Sequence, residues 1–183
     1  MRIIAGSAKR REIKVPKALV RPTTDRTREA LFSILLSYVP DAKVLDLFAG
    51  AGSLGLESLS RGAKSCDFVD VNRVCTRVIE DNLKNLQLKG GSVLNADVLT
   101  CIQRSRECYD LIFADAPYYK NPGERDFVAE ILAEDNLFKM LSDDGLLVVE
   151  VDSRYKMATP VNWEVVDQRS YGSCAIHFLR KVR

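Results

Sequence analysis

Four consecutive residues, Asp115-Ala116-Pro117-Tyr118, combine a carboxylate, a carbonyl oriented by proline and an aromatic ring at a predicted strand end. These groups suit the exocyclic amine of a nucleobase, whose lone pair is delocalised into the ring. Methyl transfer to such an amine needs acceptors for its N–H groups, which Asp115 and a nearby carbonyl would provide. Tyr118 would stack on the base. The structural alternative is a simple turn after a strand, with Asp and Pro as turn formers.

A glycine-rich segment, Asp46 to Gly55, follows the first strand of the predicted sheet and opens a helix. The spacing Gly50-x-Gly52-x-x-Gly55 matches a dinucleotide-binding loop. Asp70 stands at the end of the next strand, where such folds place a ribose ligand. This spacing is compatible with NAD and with S-adenosylmethionine.

Asp46 separates the two cofactors. A carboxylate just before the loop would repel the pyrophosphate of NAD, whereas it would attract the ammonium group of S-adenosylmethionine. Asp97, near the end of the third strand, could bind the adenine amine or could cap a helix, and the spacing does not choose between these roles. The sequence therefore favours S-adenosylmethionine, with these candidate contacts: Asp46, Phe48, Ala49, Gly50, Gly52, Asp70, Val71, Asp97 and Val98.

Strand and helix patterns alternate from Lys43 onward, which is typical of a parallel sheet covered on both faces. The predicted strands are Val44–Phe48, Cys66–Val71, Ser92–Asn95, Tyr109–Ala114, Leu146–Val151, Trp163–Gln168 and Ala175–Arg180. The last two form an antiparallel hairpin. The sequence therefore predicts a doubly wound α/β fold with a seven-stranded, mostly parallel sheet.

Helical periodicity covers Ser53–Ser60, Arg73–Leu86 and Phe127–Leu141, and a further helix is predicted from Thr24 or Asp25 to about Tyr38. Residues 1–20 are predicted to form a short hairpin or an arm. The length of 183 residues favours one domain, in which residues 1–40 form a basic extension and residues 41–183 form the catalytic core.

Positive charge is concentrated at the N-terminus. Residues 1–28 hold nine Lys and Arg side chains against Glu12 and Asp25, although the net charge of the whole chain is only +2. This distribution predicts a docking surface for a polyanion such as an RNA backbone. A solvated basic tail is the alternative. The candidates for phosphate contact are Arg10, Arg11, Arg21, Arg26 and Arg28.

The remaining composition argues against a metal site, a membrane span or secretion. The five cysteines include no C-x-x-C pair and the chain has a single histidine, so we expect no zinc site. The apolar runs are shorter than the roughly 20 residues of a membrane helix, and the N-terminus does not resemble a secretion signal. We therefore expect a cytoplasmic protein.

Three segments carry a specific resemblance over nearly the whole chain. These are Met1-Arg2-Ile3-Ile4-Ala5-Gly6, the stretch from Arg21-Pro22-Thr23-Thr24-Asp25-Arg26 to Arg28-Glu29-Ala30-Leu31-Phe32, and Leu45-Asp46-Leu47-Phe48-Ala49-Gly50-Ala51-Gly52-Ser53-Leu54-Gly55-Leu56-Glu57. With them, the chain resembles the bacterial methyltransferases that modify N2 of guanine 966 in 16S ribosomal RNA.

The resemblance implies a class I S-adenosylmethionine-dependent fold, a guanine in 16S RNA as substrate, and a basic N-terminal segment that helps to grip RNA. We expect the substrate within a small-subunit ribosomal particle and the enzyme to be a monomer. Ala116 is a departure, because the family usually has Asp-Pro-Pro-Tyr or Asn-Pro-Pro-Tyr. Its carbonyl remains, and Pro117 still restricts Ala116 to extended conformations.

Three other functions remain open from the sequence. The tetrapeptide alone does not distinguish a guanine amine from the N6 amine of adenine in DNA or RNA. The glycine loop leaves an NAD-dependent oxidoreductase as a less favoured interpretation. The basic segment could also belong to an RNA-binding module without catalysis.

Overall fold

The computed structural model describes residues 1–16, 24–119 and 123–182, and its centre is a seven-stranded sheet. The strands are β1 (Lys43–Leu47), β2 (Ser65–Asp70), β3 (Gly91–Asn95), β4 (Tyr109–Ala114), β5 (Leu141–Asp152), β6 (Trp163–Tyr171) and β7 (Cys174–Lys181). Their order is β3-β2-β1-β4-β5-β7-β6. The first five are parallel, and β7 pairs antiparallel with both β5 and β6. The predicted fold class is confirmed.

The strand order reverses between β1 and β4. From β1 the chain proceeds to β2 and β3 on one side, whereas β4 is followed by β5 on the other. Leu47 at the end of β1 pairs in register with Ala114 at the end of β4. The loops after these two strands therefore diverge and leave a crevice at the carboxyl edge, where α/β sheets of this type bind ligands.

Six helices cover the sheet in two layers within the described part of the chain. They are α1 (Asp25–Ile34), α2 (Ser53–Ser60), α3 (Arg73–Leu86), α4 (Val98–Arg104), α5 (Phe127–Ala133) and α6 (Asp135–Met140). Side chains of α1, α2 and α3 form a core with one face of the sheet, and those of α4, α5 and α6 form a second core on the other face. Alternate residues of the central strands feed these two cores, which is why the strands are apolar almost throughout.

Two predicted helices differ from the observed ones. The helix predicted to reach Tyr38 ends at Ile34, because Leu35 leaves helical geometry with ψ of 8° while its N–H still bonds to the Leu31 carbonyl. The helix predicted over Phe127–Leu141 is divided at Glu134, whose backbone is extended with ψ of 111°. The last residue of that prediction, Leu141, begins β5 instead.

The N-terminal segment forms a hairpin that packs into the first core. Arg2 and Glu12 form an antiparallel bridge, and the Ile3 N–H donates to the Arg11 carbonyl. The hairpin residues Ile3, Ala8 and Ile13 are buried in the core. The alternative of a solvated tail is therefore wrong for residues 1–13.

Glu57 of α2 fixes this hairpin. Its carboxylate is fully buried and accepts hydrogen bonds from the backbone N–H groups of Ile4 and Ala5 at 2.8 and 3.0 Å. It also pairs with Arg61 at 2.7 Å. These three donors satisfy the buried carboxylate, so the start of the chain is attached directly to the helix that follows the glycine loop.

Candidate active site

The turn that follows β1 has a backbone that glycine permits. Gly50 and Gly52 have φ of 55° and 77°, in the left-handed region, and Phe48 adopts φ of 59° without being glycine. Left-handed geometry costs a residue with a side chain of the order of 1 kcal/mol or more. A Cβ at Gly52 would also come within 3.0 Å of Ile79 on α3. Glycine at these positions therefore lets the turn lie tightly against α3.

Asp70 connects this turn to the end of β2. One carboxylate oxygen accepts from the Gly50 N–H at 2.8 Å, and the other accepts from the Asn72 N–H at 2.7 Å. Its side chain is only half-buried. Asp70 thus stands at the crevice edge with its orientation fixed by backbone donors, where a ribose would be expected.

Asp46 lies beneath the loop and is 2% exposed. Its carboxylate accepts from the Gly55 N–H at 2.9 Å, and burial raises the pKa of the Asp46 carboxyl to about 7. At Gly55 a Cβ would come within 2.2 Å of the Phe68 ring, so α2 approaches β2 too closely for any side chain. The structure gives Asp46 a backbone partner, and its contact with the ammonium group of a cofactor stays a prediction.

The other predicted cofactor contacts differ in how far they are exposed to solvent. Val71 is 71% exposed at the end of β2, whereas Val98 is 4% exposed and packs in the second core. The Asp97 carboxylate accepts from the Thr100 N–H at 3.0 Å and so caps α4. This hydrogen bond lowers the pKa of Asp97. The capping role that the sequence left open is therefore present.

The tetrapeptide lies directly after β4, across the crevice from the glycine turn. Asp115 is half-buried, Ala116 is buried, and Pro117 is exposed. The Tyr118 hydroxyl donates to Glu150 of β5 at 2.9 Å. Burial raises the pKa of the Tyr118 hydroxyl, and the neighbouring carboxylates Glu150 and Asp115 raise it further.

Two depressions flank these residues. One, of about 190 Å³, has Asp115 and Glu150 in its wall together with apolar side chains of α1, α2 and the sheet. The other, of about 230 Å³, lies beside Tyr118 and includes Tyr155, whose hydroxyl donates to Asp126. Asp115 therefore borders the first depression, Tyr118 borders the second, and Glu150 lies in the wall of both.

An aromatic contact joins the two sides of the crevice. Phe48 in the glycine turn meets Phe127 of α5 edge to face, with ring centroids 5.4 Å apart. The guanidinium of Arg125 lies 4.6 Å from the centroid of the Phe127 ring. Phe48 therefore packs towards the segment that follows the tetrapeptide, in addition to shaping the turn.

The arginines predicted to contact phosphate fall into different environments. Arg10 and Arg26 are exposed. Arg11 is exposed too, although its guanidinium donates to the Leu86 and Asn85 carbonyls at the end of α3. Arg21 lies outside the described residues.

The prediction that Arg28 contacts phosphate is wrong. Its side chain is fully buried, and it donates to the Arg2 carbonyl and pairs with Asp25 at 2.8 Å. It cannot reach a phosphate in this conformation, because it faces the core and ties α1 to the N-terminal hairpin. The number of Lys and Arg residues in the N-terminal segment predicts its charge. It does not show which face of α1 is buried against the hairpin.

Sequence reasoning missed Glu150 and Glu57. Glu150 follows four apolar residues of β5, and Glu57 lies in a helix whose other residues are mostly apolar or small. A lone acidic residue in an apolar segment is costly to bury without partners, and that anomaly is the signal that would have found both.

Within residues 1–16, 24–119 and 123–182, no group of His, Cys, Asp and Glu is arranged to hold a metal ion. None of the helices in these ranges is long and apolar enough to cross a membrane.

Comparison with known proteins agrees with this geometry. Residues 1–180 match the family described as Conserved hypothetical protein 95. The chain is 32% identical to the ribosomal RNA small subunit methyltransferase D of Escherichia coli K12, over 99% of this chain and 90% of that protein. The chain belongs to this methyltransferase family.

Solved structures share the fold. A hypothetical protein from Thermus thermophilus superposes with a TM-score of 0.82 at 26% identity, covering 100% of this chain and 99% of that one. The protein SMU.776, solved in complex with SAH, superposes with a TM-score of 0.66 at 15% identity, covering 85% of this chain and 49% of the other. At that identity the second comparison establishes the architecture alone. The predicted family and its class I methyltransferase fold are confirmed.

Proposed function

We propose that this protein transfers a methyl group from S-adenosylmethionine to the N2 amine of a guanine in small-subunit ribosomal RNA, guanine 966 by resemblance to its family. The observation that carries the proposal is the pairing of Leu47 with Ala114. This register places the glycine turn and Asp115 at the two sides of one crevice. A donor bound on one side would face an amine held on the other.

The residues on the β1 side fit this cofactor. S-adenosylmethionine, when bound, supplies a methyl group already activated by a sulfonium. The half-exposed carboxylate of Asp70 suits the ribose hydroxyls, and exposed Val71 offers an apolar surface for the adenine ring. The glycine turn admits close approach of a ligand to the backbone, and Asp97 at the N-terminus of α4 lies after the neighbouring strand β3.

Asp115 and the carbonyl of Ala116 would hold the target amine by accepting its N–H groups. Holding the amine turns the nitrogen lone pair towards the methyl carbon, and positioning of this kind supplies much of the rate enhancement. The N–C bond forms as the S–C bond breaks, with its electron pair passing to sulfur. Asp115 stabilises the positive charge that develops on the amine, and one N–H proton then leaves to solvent.

The substrate side also needs to grip RNA. Arg10 and Arg26 are exposed and lie on the hairpin and on α1, and both elements pack into the first core. Contacts from such side chains to phosphates orient an RNA without reading its sequence. We infer that a partly assembled small-subunit particle is the substrate and that one copy of the chain acts on it.

The deciding experiment measures transfer of labelled methyl groups from S-adenosylmethionine to small-subunit particles that lack the modification, followed by mapping of the labelled nucleotide. We expect one N2-methylguanine at a single position. Label on an adenine N6 would favour the alternative amine. RNA binding without any transfer would favour a non-catalytic module, and stabilisation by NADH but not by S-adenosylhomocysteine would favour an oxidoreductase.

A further inference from the structure

Glu150 occupies an unusual position in the sheet. Its neighbours on β5, Val149 and Val151, are 0% and 2% exposed and point into the second core. Because side chains alternate along a strand, Glu150 points to the opposite face. It is a half-buried carboxylate within a mostly apolar stretch of that strand.

The register of the sheet brings Glu150 beside Asp115. Ala114 pairs with Val149 in the parallel ladder between β4 and β5. Asp115 follows Ala114 directly after β4, and Glu150 follows Val149 within β5, so the two carboxylates lie side by side on the same face of the sheet. Both line the depression of about 190 Å³, whose remaining wall is mainly apolar, with Leu31, Leu54 and Ile176 among its residues.

Tyr118 fixes the direction of the Glu150 side chain. Its hydroxyl donates to one Glu150 oxygen at 2.9 Å. A carboxylate has about four acceptor positions, so this bond does not prevent it from accepting another. The apolar wall and the two adjacent acceptors, Asp115 and Glu150, form a surface complementary to a flat base that presents more than one donor along the same edge.

Guanine presents such an edge. Its N1–H and its N2 amine are neighbouring donors, whereas adenine has an acceptor at N1 beside its N6 amine. We propose that Glu150 is a specificity-determining residue that accepts the N1–H of the target guanine while Asp115 accepts from N2. This inference rests on the proposed function and deepens it. An adenine in the same place would set its N1 lone pair against a carboxylate, which is unfavourable.

The test replaces the target guanine by 2-aminopurine, which keeps the 2-amine but has an acceptor at N1. We expect the wild-type protein to methylate particles carrying 2-aminopurine at the mapped position roughly 10- to 100-fold more slowly than particles carrying guanine, as kcat/KM. The factor corresponds to one lost charge-assisted hydrogen bond and to the repulsion between the N1 lone pair and the Glu150 carboxylate. Equal rates on the two substrates would overturn the inference, and this arm needs no variant.

The variant Glu150→Gln sharpens the test. A glutamine can turn its amide to donate to an acceptor at N1, so the preference for guanine over 2-aminopurine should shrink to less than about threefold. Glu164→Gln, the same change at an exposed residue of β6, is the matched control and should keep the wild-type ratio. Thermal midpoints with and without S-adenosylhomocysteine establish that each variant folds and binds cofactor.

The outcomes separate this inference from the proposed function. If the wild type modifies guanine but Glu150→Gln lowers both rates equally and leaves the ratio unchanged, Glu150 only supports the structure and the inference is wrong. If the wild type transfers no methyl group to guanine in any particle, the proposed function is wrong. The inference about Glu150, which rests on it, is then wrong too.

Discussion

The two sides of the crevice are built in different ways. On the β1 side the carboxylates of Asp46, Asp70 and Asp97 each accept from backbone N–H groups, those of Gly55, Gly50 and Thr100. On the β4 side the Tyr118 hydroxyl donates to another side chain, that of Glu150, from a strand further along the chain.

This difference suggests a division of labour. Carboxylates bonded to the backbone of a tight turn fix the shape of the turn, which suits a cofactor that is the same in every reaction cycle. Side chains bonded to side chains can be exchanged without disturbing the backbone, which suits a surface that selects a substrate. Substitutions on the two sides should therefore change different measurements.

The largest effect is expected on the substrate side. Asp115→Ala should lower the rate of methyl transfer by at least about 100-fold. The variant lacks the carboxylate that would accept an N–H of the amine and stabilise the positive charge that develops on it. The dissociation constant for S-adenosylhomocysteine should stay within about twofold of wild type. Asp115→Asn is the matched control and should retain more activity than the alanine variant, since its amide oxygen still accepts. An alanine variant that turns over like wild type would remove Asp115 from the site.

The converse change is Asp70→Ala on the cofactor side. It removes the proposed ribose ligand and two hydrogen bonds to the backbone N–H groups of Gly50 and Asn72, so affinity for S-adenosylhomocysteine should fall about 10- to 100-fold by calorimetry. RNA binding without cofactor should not change. Asp81→Ala, at an exposed carboxylate of α3, provides the control. A loss of RNA binding comparable with the loss of cofactor binding would show that the two sides are not separable.

Asp46→Asn tests how far the turn is fixed from beneath. The pKa of the wild-type Asp46 carboxyl is raised to about 7 in the folded protein, against a reference value of 3.8, so between pH 4 and 7 this carboxyl takes up a proton on folding. The unfolded state binds fewer protons in that window, so this group lowers wild-type stability progressively as the pH rises from 4 to 7, and the deficit stays constant above it.

Asparagine does not titrate, and its oxygen can still accept from Gly55. The variant should therefore gain stability relative to wild type as the pH rises, on the order of 1–2 kcal/mol at pH 8, since relaxation around the charge recovers part of the desolvation cost. Urea midpoints at pH 4, 6 and 8 measure it. If the urea midpoints of the two proteins changed in parallel with pH, the pKa of the Asp46 carboxyl would not be raised by folding.

The smallest effect is expected from single phosphate contacts. Arg26→Ala should weaken RNA binding a few-fold and reduce the slope of log K against log salt by about one. Arg28→Ala, two residues away on α1, should leave that slope unchanged and lower the thermal midpoint, because Arg28 is buried against the hairpin. If both variants changed the slope equally, burial would not separate their roles.

Local sequence signals predicted α3 well. Its observed bounds, Arg73–Leu86, agree with the periodicity, because Asn72 caps its N-terminus and one face is buried on the sheet. The division at Glu134 and the end of α1 at Ile34 were not predictable in this way. Both depend on packing against neighbouring elements, which overrides helical periodicity at element ends.

The sequence by itself determined the composition of each loop: which turn has glycines, which strand ends have carboxylates, and which tetrapeptide has an aromatic ring. These features depend on neighbouring residues, so they can be read along the chain. The tertiary structure alone decided that Asp115 lies beside Glu150 and that Arg28 faces the core. Strand register and helix packing join residues far apart in sequence, and no local pattern records those contacts.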